Sequence, residues 1–102
     1  MGKIYTLDAN LLNNVNEIRI GDKLLAVDDR LETVEKIMAL QEDGASEIAM
    51  VKQAVKLALG EKAYEELSME KMPFAACQQL LELVLAAVTG QEIEQVQARF
   101  QG

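Results

Sequence analysis

The sequence predicts an α+β fold, mostly α-helical, in which an N-terminal β-hairpin is followed by four to five helices. Two β-prone runs flank the pair Gly21-Asp22, and apolar residues recur at helical spacing beyond residue 27. Glycine or proline interrupts the helical part at positions 44, 60, 73 and 90. With 102 residues, half of them hydrophobic, we expect one domain spanning 1–102: an arm (1–15), a hairpin (16–27) and a helical part (28–102).

The arm and the hairpin are predicted from short runs. Ile4, Tyr5 and Leu7 indicate a short strand in the arm, whereas 10–14 indicate a turn or an ordered linker, because asparagine favours turns. In the hairpin the strands are expected on either side of Gly21-Asp22, because glycine accepts the positive φ that a two-residue turn requires.

The first two long helices are predicted from their ends. Asp28 or Asp29 is expected to cap the first, and Ser46 the second, while Gly44 and Gly60 end them. Each carries an apolar stripe. The stripes are Leu31, Val34, Ile37 and Met38 in the first helix, and Ile48, Val51, Val55, Ala58 and Leu59 in the second.

The rest of the chain is predicted as a short helix (61–67), a connector (68–72) and a long helix that starts at Pro73 and runs to about residue 89. Proline suits the first turn of a helix, where no N–H is needed. A last amphipathic segment carries Ile93, Val96 and Phe100.

The long helix is apolar on more than one side. One stripe contains Phe74, Cys77, Leu81, Val84, Leu85 and Val88, and Leu80, Leu83 and Ala87 lie largely off it. Two interpretations stay open: the second side binds a partner or another copy, or the helix is central and ringed by its own neighbours. If that side is an interface, Leu83→Asp leaves a folded helical domain and abolishes oligomerisation or partner capture.

The residue types argue against catalysis and metal binding. The chain has no histidine, and Cys77, its one cysteine, is expected to be a small buried hydrophobe. Adjacent carboxylates on a helix point different ways, so they form no converging acid–base pair. We expect no enzyme activity, no cofactor and no metal site.

Charge and hydropathy bear on the partners and the compartment. The net charge of −7 disfavours nucleic acid, whose phosphates repel an acidic surface. No segment is both long enough and apolar enough to be predicted as a membrane span, and the N-terminus lacks the pattern of a secretory signal. A reducing, cytoplasmic setting is expected.

Candidate partner-binding residues come from the long helix and the connector before it. Methionine adapts to varied apolar ligands, and Met69 and Met72 are expected to be exposed. The full set of candidates is Met69, Met72, Phe74, Leu80, Leu83 and Ala87.

Two segments carry a family resemblance. One is Glu17-Ile18-Arg19-Ile20-Gly21-Asp22-Lys23 with the following Val27-Asp28-Asp29-Arg30. The other is Leu59-Gly60-Glu61-Lys62-Ala63-Tyr64-Glu65-Glu66-Leu67 with the long apolar helix after it. From about residue 4 to 90 the chain resembles the small tail assembly chaperones of long-tailed bacteriophages and prophages of Gram-positive hosts.

The resemblance implies a mostly helical protein of the host bacterial cytoplasm that is absent from the mature virion. Such chaperones bind the tape measure protein, keep it soluble, help recruit tail tube subunits and tend to form homo-oligomers. The alternatives are a small structural phage protein, such as a head–tail adaptor or neck component, and another acidic helical protein-interaction module. Finding the chain in purified particles would favour the adaptor.

Overall fold

The backbone of this computed structural model is described for residues 2–13 and 15–92. Its elements are α1 (Ala9–Asn13), β1 (Glu17–Ile20), β2 (Lys23–Ala26), α2 (Leu31–Glu42), α3 (Glu47–Leu59), α4 (Glu61–Leu67), a 3-10 helix (Met69–Lys71) and α5 (Phe74–Thr89). The mostly helical α+β fold predicted from the sequence is confirmed. The predicted segment with Ile93, Val96 and Phe100 lies outside the described residues.

The hairpin forms where it was predicted. β1 and β2 pair antiparallel with Ile20 opposite Lys23, so Gly21 and Asp22 make a two-residue turn. Gly21 has φ +61°, a conformation that glycine adopts without a steric penalty. Ile18 is buried, and β1 packs against α5.

The predictions for the arm are wrong in two respects. Ile4, Tyr5 and Leu7 lie in no strand, and α1 replaces the predicted turn. Helix formation at this point is favoured by Asp8, whose carboxylate accepts the backbone N–H of Asn10 at 2.9 Å. No residue of α1 is buried.

The caps of the two long N-terminal helices differ. Ser46 caps α3 as predicted, and its hydroxyl accepts the Ala49 N–H at 3.2 Å. At α2 the cap position belongs to Arg30, not to Asp28 or Asp29. Asp28 instead accepts the backbone N–H of Arg30 at 3.2 Å, which makes a turn just before the helix.

Two residues of the predicted apolar stripes are exposed. Leu31 is 73% exposed and Ile48 is 56% exposed. Both lie in first turns, and the buried side of α2 runs through Thr33 and Ile37 instead. The buried residues of α3 are Met50, Val51, Ala54, Val55 and Ala58.

The core lies between α3 and α5, with α2 packed on α3 and β1 on α5. Ile37, Val55 and Val84 are fully buried. Cys77 is buried, as predicted. Because α3 and β1 both pack on α5, the ring of neighbours accounts for much of the apolar circumference of that helix. None of the described helices has the length and hydropathy needed to cross a membrane.

Candidate partner-binding groove

Two of the predicted binding residues are core residues. Met69 is 6% exposed and Leu80 is 4% exposed. The expectation that Met69 is exposed is therefore wrong. The 3-10 helix turns its side chain inward, and the Met69 carbonyl accepts the thiol of Cys77 at a sulfur–oxygen distance of 3.9 Å. Leu80 faces inward between the hairpin and the rest of the core.

Leu83 and Ala87 are half-buried beside the hairpin. Both pack on the core and line a shallow cleft with Asn16, Ile18 and Arg19. The predicted second binding side of α5 is thus partly occupied by β1, which the sequence pattern did not reveal.

Met72 and Phe74 come together on the other side of the N-terminal end of α5. They line an open cavity of about 350 Å³, between α3, the 3-10 helix and α5, which we call the Phe74 groove. Phe74 is 50% exposed, and Met72 is half-buried. Its apolar lining is Ile48, Val51, Met69, Met72, Phe74 and Cys77.

Ile48 lines the groove but was not among the binding residues predicted from the sequence. Helical spacing placed it on the apolar stripe of α3, but it lies in the first turn and lines the groove together with Phe74. Its position two residues after the Ser46 cap was the one sign of its exposure in the sequence, because the first turn of a helix often extends beyond the part that packs on the core.

The local backbone positions the groove. Ser68 adopts the left-handed conformation with φ +51°, which ends α4 and turns the chain into the 3-10 helix. Met72 is extended, and the Pro73 carbonyl accepts the N–H groups of Ala76 and Cys77 as α5 begins. Phe74, the first residue of α5, therefore lies at the lip of the groove.

An ion pair borders the groove. Lys52 Nζ lies 2.8 Å from Glu70 Oε1, and both residues line the cavity. The hydrogen bond and the charge of Lys52 lower the pKa of Glu70, and the same contacts raise the pKa of Lys52. Both side chains are well exposed, so the pair marks a polar rim and adds little stability.

A larger cavity of about 490 Å³ is more polar. It is lined in part by Gln41, Glu47, Gln78 and Glu82, and Gln78 donates to Glu47 at 2.8 Å. In the described part of the chain, no three carboxylate or cysteine groups come together in a way that could hold a metal ion. The Phe74 groove has the better chemistry for an apolar ligand.

Comparison of the chain with protein-family models, curated proteins and solved structures finds no match.

Proposed function

We propose that this protein is a phage tail assembly chaperone, not an enzyme, that binds apolar helical segments of a tape measure protein in the Phe74 groove. The observation that carries the proposal is the exposure of Phe74 and Ile48 in one groove at the N-terminal end of α5. The tape measure protein is proposed as the partner because the hairpin segment and the α4 segment resemble those of such chaperones.

The groove suits the apolar face of a helix. Half-buried Met72 can repack around differently shaped side chains. A cavity of about 350 Å³ is at the small end of protein binding pockets, and it suits a few anchor side chains better than a whole helix. Anchors spaced at i, i+3 or i+4 are how an amphipathic helix enters such a groove.

The surface charge fits the same task. A chaperone that binds only the soluble form of its client shifts the client away from aggregation by mass action. The net charge of −7 would keep loaded complexes apart from one another. The proposed setting is the host bacterial cytoplasm, and the further partners proposed are tail tube subunits and copies of the chain itself.

The test is co-expression with the long helical tape measure protein from the same genome. We expect the wild type to raise the soluble fraction of that protein, and Phe74→Asp to abolish the effect. Leu31→Asp is the matched control, because Leu31 is 73% exposed and lies outside the groove lining. A tape measure protein that stays insoluble with wild type, or that Phe74→Asp rescues equally, contradicts the proposal.

A further inference from the structure

The N-terminal arm presents large apolar side chains to solvent. α1 has no buried residue, and exposed fractions in the arm run from 63% for Leu7 to 92% for Ile4. The exposed apolar residues of the arm are Ile4, Tyr5, Leu7, Leu11, Leu12 and Val15.

The exposed side chains of the arm favour contact with a partner. Each of these six residues is at least 63% exposed, so each would remove apolar surface from water on binding a partner.

The hairpin has an open edge along β2. The Val27 N–H donates to the Asn16 carbonyl at 2.9 Å, so Asn16 and Val27 form a hydrogen-bonded pair. Hydrogen-bonded and non-hydrogen-bonded pairs alternate along an antiparallel ladder, and the pairs that contain Leu24 and Ala26 are therefore non-hydrogen-bonded. Leu24 and Ala26 therefore direct their backbone N–H and C=O groups away from β1. Neither N–H has a backbone partner in the described part of the chain. Such an edge accepts a further strand.

We infer that residues 4–7 of one copy add to β2 of a second copy as an antiparallel strand. The run Ile-Tyr-Thr-Leu is β-prone and has the same length as β2. With Leu7 opposite Leu24, Tyr5 lies opposite Ala26, and the two exposed leucines meet on one face. The added strand ends at Ile4, opposite Val27. It cannot extend further along this edge, because the next outward N–H, that of Asp28, already donates to the Ala58 carbonyl at 2.8 Å.

Charge selects this alignment. The antiparallel register places Asp8 opposite Lys23, whereas a parallel strand would bring Asp8 toward Asp28. Within one copy the arm lies in solvent and leaves the β2 edge open, so each copy offers both the strand and its acceptor. The inference is independent of the Phe74 groove and of any tape measure protein.

The test is disulfide trapping between two variants of the full chain. Leu7→Cys and Leu24→Cys are mixed under mild oxidation, and the native Cys77 is buried. Directly opposed residues of such a ladder lie about 5.5 Å apart at Cα, which a disulfide spans. We expect a covalent dimer from this mixture. Thr6→Cys with Leu24→Cys is the matched control, with at least about tenfold less dimer, because adjacent strand residues face opposite sides.

A proline pair tests the register by light scattering. Wild type is expected at twice 11.3 kDa or more. Leu7→Pro removes an N–H that faces β2 and is expected to return the mass to 11.3 kDa, whereas Thr6→Pro removes an outward N–H and keeps the assembly. A monomeric wild type, or equal trapping by Thr6→Cys and Leu7→Cys, overturns the inference. So does a monomeric disulfide within one chain that carries both Leu7→Cys and Leu24→Cys.

Discussion

The side-chain amide of Asn16 donates a hydrogen bond of 2.9 Å to the backbone carbonyl of Ala87, 71 residues further along the chain. The same amide donates to the Asp29 carboxylate at 3.0 Å. Ala87 lies in the last turn of α5, where carbonyls have no partner within the helix. One side chain at the base of the hairpin thus joins the end of α5 to the segment before α2.

Replacing this amide should destabilise the fold. Asn16→Ala leaves the Ala87 carbonyl without its side-chain donor, so we expect a loss of about 1–2 kcal/mol in the free energy of unfolding, measured by urea denaturation. Asn13→Ala is the control, because the Asn13 amide donates to a carbonyl four residues away, that of Ala9, within exposed α1. Equal losses for the two variants would contradict the assigned role of Asn16.

The elements set by local chemistry were predictable from the sequence. The turn at Gly21 follows from backbone freedom, and the start of α3 follows from the hydroxyl of Ser46. The arm was less predictable, because the Asp8 carboxylate stabilises a helical turn in a run whose asparagines also favour turns.

The candidate site was only partly predictable. Phe74 and Met72 line the groove, but periodicity could not reveal that β1 covers the opposite side of α5. The assignments of Leu80 and Met69 depended on that tertiary packing, and both residues proved to be in the core.

Stability should fall in acid through Asp28. The hydrogen bonds from Arg30, which include guanidinium contacts of 3.0 and 2.9 Å, hold the pKa of this carboxyl well below its usual range. A carboxyl whose pKa is lower in the folded state than in the unfolded state adds to the free energy of unfolding. This contribution is fully present above the pKa of the unfolded state, about 3.9, and is lost as the pH falls below it.

Unfolding by urea at pH 7 and pH 3 measures this effect. Asp28→Asn should show a smaller loss of stability between the two pH values than wild type. The assignment to Asp28 is wrong if Asp28→Asn loses as much stability as wild type.

The cap of α3 should be measurable in the same way. Ser46→Ala removes the acceptor of the Ala49 N–H, so we expect a loss of about 1 kcal/mol. Ser68→Ala is a matched control, because the Ser68 side chain makes no cap hydrogen bond to the 3-10 helix that follows it. Thermal or urea unfolding compares the two, and an equal change in both variants would show that the Ser46 hydroxyl is not the source of the effect.

The two sides of α5 should respond differently to a carboxylate. Leu83→Asp puts a charge in the half-buried contact with the hairpin, so we now expect lower stability, by roughly 2 kcal/mol or more, with a weakened helical circular dichroism signal at elevated temperature. Phe74→Asp lies at the exposed lip of the groove, and we expect a loss of less than about 1 kcal/mol. Thermal unfolding of the two variants therefore separates a packing face from a binding face. If Leu83→Asp unfolds like wild type, the hairpin does not cover that side in solution, and the interface first predicted there regains its support.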